Sequence, residues 1–216
     1  MKLKSYQRIL WDFNGTILDD MALCFSAINT MLATRGIPCL PDMEAYRGVF
    51  GFPVQTYYAR VGLEGEGEGF IRDAHEWIAL YHAGEKDLTA RQGVEEALAF
   101  ISSYGIPQSI LSASETKMLM SQLEGLGLSH YFDKLYGRDD IYAADKSQMA
   151  RRYRELHPDE RVLMIGDTLH DYETAVAGGF DCVLILGGHQ NRKTLEESGV
   201  PVLNDFEELI AYLQKT

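Results

Sequence analysis

The stretch Ile9-Leu10-Trp11-Asp12-Phe13-Asn14-Gly15-Thr16 decides the fold. An apolar run of this kind, entered from Arg8 and stopped by Asp12, reads as a buried strand. The Asn14-Gly15 pair behind it reads as a tight turn, because both residues tolerate positive φ. An acid is thereby placed at the end of a buried strand.

Working outward, four further apolar runs, at 108–111, 134–136, 162–165 and 182–186, have the length and composition of buried parallel strands. Helical patterns separate them. Residues 93–103 put Val94, Leu98 and Ile101 on one face, and residues 115–126 space Met118, Leu119, Gln122 and Leu123 in the same manner. Segments 146–156, 168–177 and 206–213 continue the alternation. The pattern predicts an α/β fold: a Rossmann-like three-layer core with a parallel sheet and helices on both faces.

Between Thr16 and about Leu88 the pattern changes. Residues 20–35 align Cys24, Ile28, Met31 and Leu32 in one stripe, closed by Gly36 and Pro38. Segments 53–61 and 70–82 are also helical in pattern, and no strand-like run interrupts them. This predicts a small all-α domain inserted after the first strand: a core of residues 1–16 and 89–216, and a cap of residues 17–88. The Glu-Gly repeat at 64–69 predicts a flexible, solvated loop.

Composition narrows the function. A chain of 216 residues can bury one α/β core plus a small insert. Its 46% apolar and 24% charged residues are those of a globular protein. The formal net charge of −12 repels a phosphate backbone and argues against non-specific nucleic-acid binding. A phosphorylated substrate then needs a locally positive site, supplied by a cation or a placed lysine. Cys24, Cys39 and Cys182 lack metal-type or redox-type spacing and read as reduced thiols. The first apolar run is too short for a signal peptide, and no stretch approaches a transmembrane length. The expectation is a cytoplasmic protein, monomer or homodimer, with no membrane partner.

Four pieces carry chemistry. They are Asp12 to Thr16 after the first strand, Ser112 after the 108–111 run, Lys146 at a helix start, and Gly166-Asp167-Thr168-Leu169-His170-Asp171 after the 162–165 run. Ligands of doubly wound sheets bind outside the carboxyl ends of the strands, so one fold can gather all four. A carboxylate such as Asp12 can attack phosphorus. Asp12, Asp167 and Asp171 are hard oxygen donors suited to Mg²⁺, with the Asn14 backbone carbonyl in support. Lys146, the Ser112 hydroxyl and backbone N–H groups near Gly15 can hold phosphoryl oxygens. Singly, each piece has a plainer reading: a turn, a helix cap at Asp167-Thr168 or Ser112, a surface charge at Lys146.

Together the motifs resemble those of the haloacid-dehalogenase-like phosphatase superfamily, and within it the phosphoglycolate-phosphatase-like branch. The resemblance covers essentially the whole chain, through Ile9 to Thr16, Ile110-Leu111-Ser112, Lys146 and Gly166 to Asp171. It implies Asp12 as nucleophile and Asp12, Asn14, Asp167 and Asp171 around Mg²⁺. It implies that Gly15, Thr16, Ser112, Ala113 and Lys146 receive phosphate, with Lys146 also aiding catalysis. The insert resembles the helical cap of that family, and residues 113–145 leave no room for a second large cap. A small phosphorylated metabolite is the implied substrate.

The family motif carries aspartate where this chain has Asn14. An amide cannot shuttle a proton at neutral pH, and a general acid–base contributes about 10²–10⁴-fold. Two readings follow: an active phosphatase that recruits another group, such as His170, Glu173 or a cap residue, or a weakened relative that binds phosphate or a partner. Phosphonate hydrolysis, dehalogenation and sugar-phosphate mutase chemistry fit less well. In the cap, residues 47–53 resemble a substrate-specificity loop in which Arg47 pairs with a carboxylate or second phosphate. Tyr57, Tyr58 and Arg60 are weaker candidates, since aromatics at helical spacing are usually core. His75 and His82 lack a third metal ligand, and His189 reads as a solvated loop residue.

Overall fold

The computed structural model describes residues 3–138 and 146–215. Strand β1 (Arg8–Trp11) leads through the Asn14-Gly15 turn to a two-residue strand, β2 (Leu18–Asp19), and then to α1 (Met21–Thr34), α2 (Met43–Val49), α3 (Val54–Arg60) and α4 (Gly67–Gly84). The chain returns through β3 (Thr89–Ala90) and continues as α5 (Val94–Ser102), β4 (Gln108–Glu115), α6 (Thr116–Gly125) and β5 (Lys134–Arg138). It ends with α7 (Lys146–Leu156), β6 (Val162–Gly166), α8 (Leu169–Gly178), β7 (Asp181–Ile185), α9 (Arg192–Glu196), β8 (Val202–Leu203) and α10 (Phe206–Lys215).

Six strands form one sheet in the order β5-β4-β1-β6-β7-β8, all pairs parallel. Because side chains alternate along a strand, each strand feeds both faces. Ile9, Trp11, Leu163, Ile165, Val183 and Ile185 join one cluster, which α5, α6 and α10 cover. Leu10, Val162, Met164, Cys182 and Leu184 join the other, under α7, α8 and α9. Apolar burial on both faces is why these strands read as continuous apolar runs.

The four insert helices share a separate core of Cys24, Ile28, Met31, Leu32, Tyr46 and Tyr57 with their neighbours. Asp73 is fully buried in it and is held by Arg35 at 2.8 Å. The insert hangs from an antiparallel pair, Leu18 opposite Ala90 and Asp19 opposite Thr89.

Several local expectations change. β2 is a strand within the span that reads as strand-free, made by two residues whose partners lie some seventy positions away. The Glu-Gly repeat is not all loop: α4 starts at Gly67. Arg47 lies on α2 rather than in a loop, with Asp42 capping that helix through Ala45 N at 2.8 Å. Short α9 and β8 carry too few residues to show periodicity. Among the described residues, no helix is long and apolar enough to cross a membrane.

Candidate active site

β1 lies between β4 and β6, and all three run in one direction, so the residues that follow them meet at one edge of the sheet. Asp12 follows β1 and donates its backbone N–H to Ile165 O at 2.9 Å. Asp167 follows β6, and Asp171 is in the first turn of α8. Carboxylate oxygens of Asp12, Asp167 and Asp171 lie within 4.8 Å of one another, and all three residues are buried. Lys146 opens α7, is 3% exposed, and pairs through Nζ with both Asp12 and Asp171.

Each carboxylate has a distinct set of partners. Thr16 Oγ1 lies 2.8 Å from Asp167 Oδ1 and 3.2 Å from Asp12 Oδ2. Asp167 Oδ2 accepts the His189 backbone N–H at 2.6 Å. Asp171 Oδ2 accepts from the backbone N–H groups of Asp167 and Thr168 at 3.1 and 2.9 Å, and from Thr168 Oγ1 at 2.7 Å. The last of these sits where a helix start favours an anion.

One ammonium among three buried carboxylates leaves a shortage of positive charge. Burial, reinforced by Asp171, pushes the Asp12 carboxyl well above the usual range, against the opposing pull of Lys146. Burial likewise raises Asp167, although the neighbouring His189 works the other way. For Asp171, burial is outweighed by Lys146 and the hydrogen bonds, and its carboxyl is lowered. A buried cluster of hard oxygen donors short of positive charge fits a divalent cation.

Gly15 packs where no side chain fits. Its φ is +75°, and a Cβ there would run into the His189 ring and the Asp167 carboxylate. Its N–H donates to Leu18 O at 3.0 Å, so within this turn that group is engaged by backbone rather than open to a ligand. Its carbonyl accepts from Arg91, which also donates to Leu186 O at 2.5 Å and so ties two loops of the site together. Ser112 and Ala113 lie inside β4, which runs further than its apolar stretch with a register shift between Leu111 and Glu115. Ser112 is buried, its Oγ accepting from Ser114 N at 3.1 Å, whereas Ala113 is exposed.

Asn14 is held at both ends of its amide. Nδ2 donates to Asp20 Oδ2 at 3.0 Å and lies 3.1 Å from Tyr81 OH, and Oδ1 accepts from Ser114 Oγ at 2.7 Å. Asp20 also contacts His189, with Oδ1 3.1 Å from Nε2. His189 is 5% exposed, which corrects its reading as a solvated loop residue. It stacks on Phe50 with centroids 4.7 Å apart, and its Nδ1 lies 2.9 Å from Tyr46 OH. Burial alone lowers an imidazole, but the Asp20 carboxylate outweighs it and pushes His189 up to about 9.

Other expected residues lie elsewhere. Arg47 donates through Nε to Gly188 O at 2.8 Å and through Nη2 to Gly187 O at 2.9 Å, so its guanidinium joins insert to core. His170 stacks on Phe52 at 4.5 Å and lies 3.5 Å from Glu173, with no bond to the acidic cluster. Tyr57 and Tyr58 belong to the insert core. Asp20, Tyr81, Ser114 and Arg91 went unread in the sequence, and His189 was misread although it follows Gly187-Gly188 after a parallel strand at the same edge.

Comparison with known proteins agrees with this geometry. The family model described as haloacid dehalogenase-like hydrolase matches residues 9–185. The phosphoglycolate phosphatase of Pseudomonas syringae pv. syringae is 25% identical over 94% of this chain and 78% of its own length. The tyrosine-protein kinase PtkA of Mycobacterium tuberculosis is 24% identical over 93% of this chain and 69% of its own. A haloacid dehalogenase-like family hydrolase from Streptococcus pneumoniae superposes with a TM-score of 0.82 at 22% identity, covering 98% of this chain and 100% of that one. With the family model spanning all four motifs, the chain belongs to the haloacid dehalogenase-like hydrolases.

Proposed function

We propose that the protein hydrolyses a small phosphate monoester through an aspartyl-phosphate on Asp12, with a divalent cation, Mg²⁺ by the hardness of its donors. The observation that carries this reading is the Asp12 carboxylate, buried within 4.8 Å of two further carboxylates and paired to Lys146. An Asp12 oxygen forms the bond to phosphorus as the ester P–O bond breaks and the alcohol leaves, its oxygen taking a proton from solvent water; a second water then cleaves the acyl phosphate, releasing phosphate and restoring Asp12.

Asp12, Asp167 and Asp171, with the Asn14 carbonyl, would hold the cation, which when bound neutralises charge on the phosphoryl oxygens. Lys146 and the Ser112 hydroxyl orient those oxygens, with the Thr16 hydroxyl and the Ala113 backbone beside them. The insert, residues 17–88, acts as a cap that excludes water and faces the rest of the substrate. Relatives named phosphoglycolate phosphatases support a small phosphorylated metabolite as the substrate.

A second reading is favoured by one observation: Asn14 Nδ2 and Oδ1 are both engaged, and neither atom can deliver a proton. On that reading the site binds phosphate and turns over weakly. Hydrolysis of p-nitrophenyl phosphate with Mg²⁺ or EDTA separates the two. Metal-dependent turnover abolished in Asp12→Asn is the expected result. Turnover that appears only in Asn14→Asp would favour the second reading, and turnover unaffected by Asp12→Asn would sink both.

A further inference from the structure

A second group of metal-type donors lies beside the acidic cluster and takes no part in the reaction proposed above. Asp20 caps α1, and Cys24 is one turn along the same helix, with its backbone N–H on Asp20 O at 2.9 Å. His189 reaches them from the loop after β7. The donor atoms of Asp20, Cys24 and His189 lie within 4.8 Å of one another, and all three residues are buried. Asp20 Oδ1 is 3.1 Å from His189 Nε2, and Cys24 Sγ is 3.6 Å from Asp20 Oδ2. Tetrahedral zinc ligands are separated by roughly 3.3–3.6 Å, given bonds of about 2.0–2.3 Å. The two short contacts run to different oxygens of Asp20, so closing on one ion draws the donors in from within 4.8 Å, a movement of at most about 1.5 Å.

We propose that Asp20, Cys24 and His189 form a second cation site, selective for zinc-class ions, that staples the first turn of α1 to the core. One sulfur, one imidazole nitrogen and one carboxylate oxygen form a borderline-soft set, unlike the all-oxygen set of Asp12, Asp167 and Asp171. Tyr46 supplies the outer contact that such a histidine needs: its hydroxyl oxygen can accept from Nδ1–H, leaving the Nε2 lone pair for the ion. Three protein donors leave a fourth position to water. On binding, the Sγ–H bond of Cys24 breaks, its proton passes to solvent with any proton on His189 Nε2, and the sulfur and nitrogen lone pairs bond the ion. No oxidant or reductant is involved.

The test uses the full chain, stripped with EDTA and dialysed against Zn²⁺ or Co²⁺ in excess Mg²⁺. We expect one equivalent of Zn²⁺ retained per chain, and a thiolate-to-cobalt band in the near ultraviolet with Co²⁺. Cys24→Ser abolishes the band and weakens retention by at least about tenfold. Cys39→Ser and Asp12→Asn leave both unchanged. In the wild type, Zn²⁺ also slows alkylation of Cys24 and not of Cys39, a readout that holds even where Cys24→Ser folds poorly. The absence of a thiolate band in the wild type, its survival in Cys24→Ser, Zn²⁺ retention lost in Asp12→Asn, or Cys24 alkylation indifferent to Zn²⁺ would each overturn the proposal. Since none of these readouts is catalytic, the site stands or falls independently of the phosphatase reading.

Discussion

Nδ2 of Asn14 lies 3.0 Å from Oδ2 of Asp20, an amide donating to a carboxylate that is 1% exposed. A second carboxylate at position 14 would face Asp20 with little water to screen it. We therefore expect Asn14→Asp to lower stability by about 1–3 kcal/mol at neutral pH. Exchanging the pair, Asn14→Asp with Asp20→Asn, restores a donor–acceptor contact and recovers part of the loss, the remainder being the Asp20–His189 ion pair that the exchange removes. Urea midpoints of the three variants check this, and additive losses in the double variant would contradict it.

Lys146 pairs with both Asp12 and Asp171. Removing it as Lys146→Met leaves buried carboxylates without that counter-charge, so stability in EDTA should fall by about 3–5 kcal/mol. Added Mg²⁺ should recover more of the melting temperature in the variant than in the wild type, while turnover drops at least about 100-fold. Thermal melts with and without metal, beside a steady-state assay, give both readings.

Arg47 binds Gly187 O and Gly188 O rather than standing free for a substrate carboxylate. Arg47→Ala is therefore expected to lower kcat/KM by a similar factor for substrates with and without a carboxylate. A selective loss for phosphoglycolate over p-nitrophenyl phosphate would show that the guanidinium contacts substrate instead.

The Tyr57 hydroxyl is buried inside the insert core, with no hydrogen-bond partner among the described residues. Tyr57→Phe removes an unsatisfied polar atom and keeps the ring. It should leave stability unchanged or raise it by about 1 kcal/mol, with KM unaltered. A marked rise in KM would return Tyr57 to the list of substrate contacts.

Asp133 supports pH-dependent stability far from the site. Burial would raise its carboxyl, but hydrogen bonds from Arg8 and Ser109, with the Arg8 and Lys134 charges, hold it below the usual range. Arg8 is also 3.8 Å from Glu160 and is buried. A folded-state carboxyl lowered relative to the unfolded chain stabilises above about pH 4, and that contribution is lost as pH falls through the folded value. Because the Asp133 side chain is 42% exposed and screened by water, Asp133→Asn should cost no more than about 0.5–1 kcal/mol at pH 7 and flatten the decline below about pH 4. Denaturant midpoints against pH measure both.

The parallel core was legible because burial on two faces writes unbroken apolar runs, and the acids that end them mark the sheet edge. Asp12 and Asp167 were found by that logic, Asp171 and Lys146 by the motif and the helix start that go with them, and the structure brings the four together. The Asp20–His189 contact was not legible, since it joins a helix cap to a loop 169 residues away and depends on how the insert seats. Arg47 was misplaced for a similar reason: a short helix capped by Asp42 carries no periodicity to read. β2 and β3 are two-residue strands, too short to read singly, that pair with each other across some seventy positions.

That two-residue pairing has a mechanical result. Both chain crossings leave the core side by side, so the insert is borne on a flat strap rather than on two separate threads. A strap bends more readily across its flat face than within its plane. An opening about that strap would have to break the Arg47 bonds to Gly187 O and Gly188 O and lift Tyr81 off Asn14.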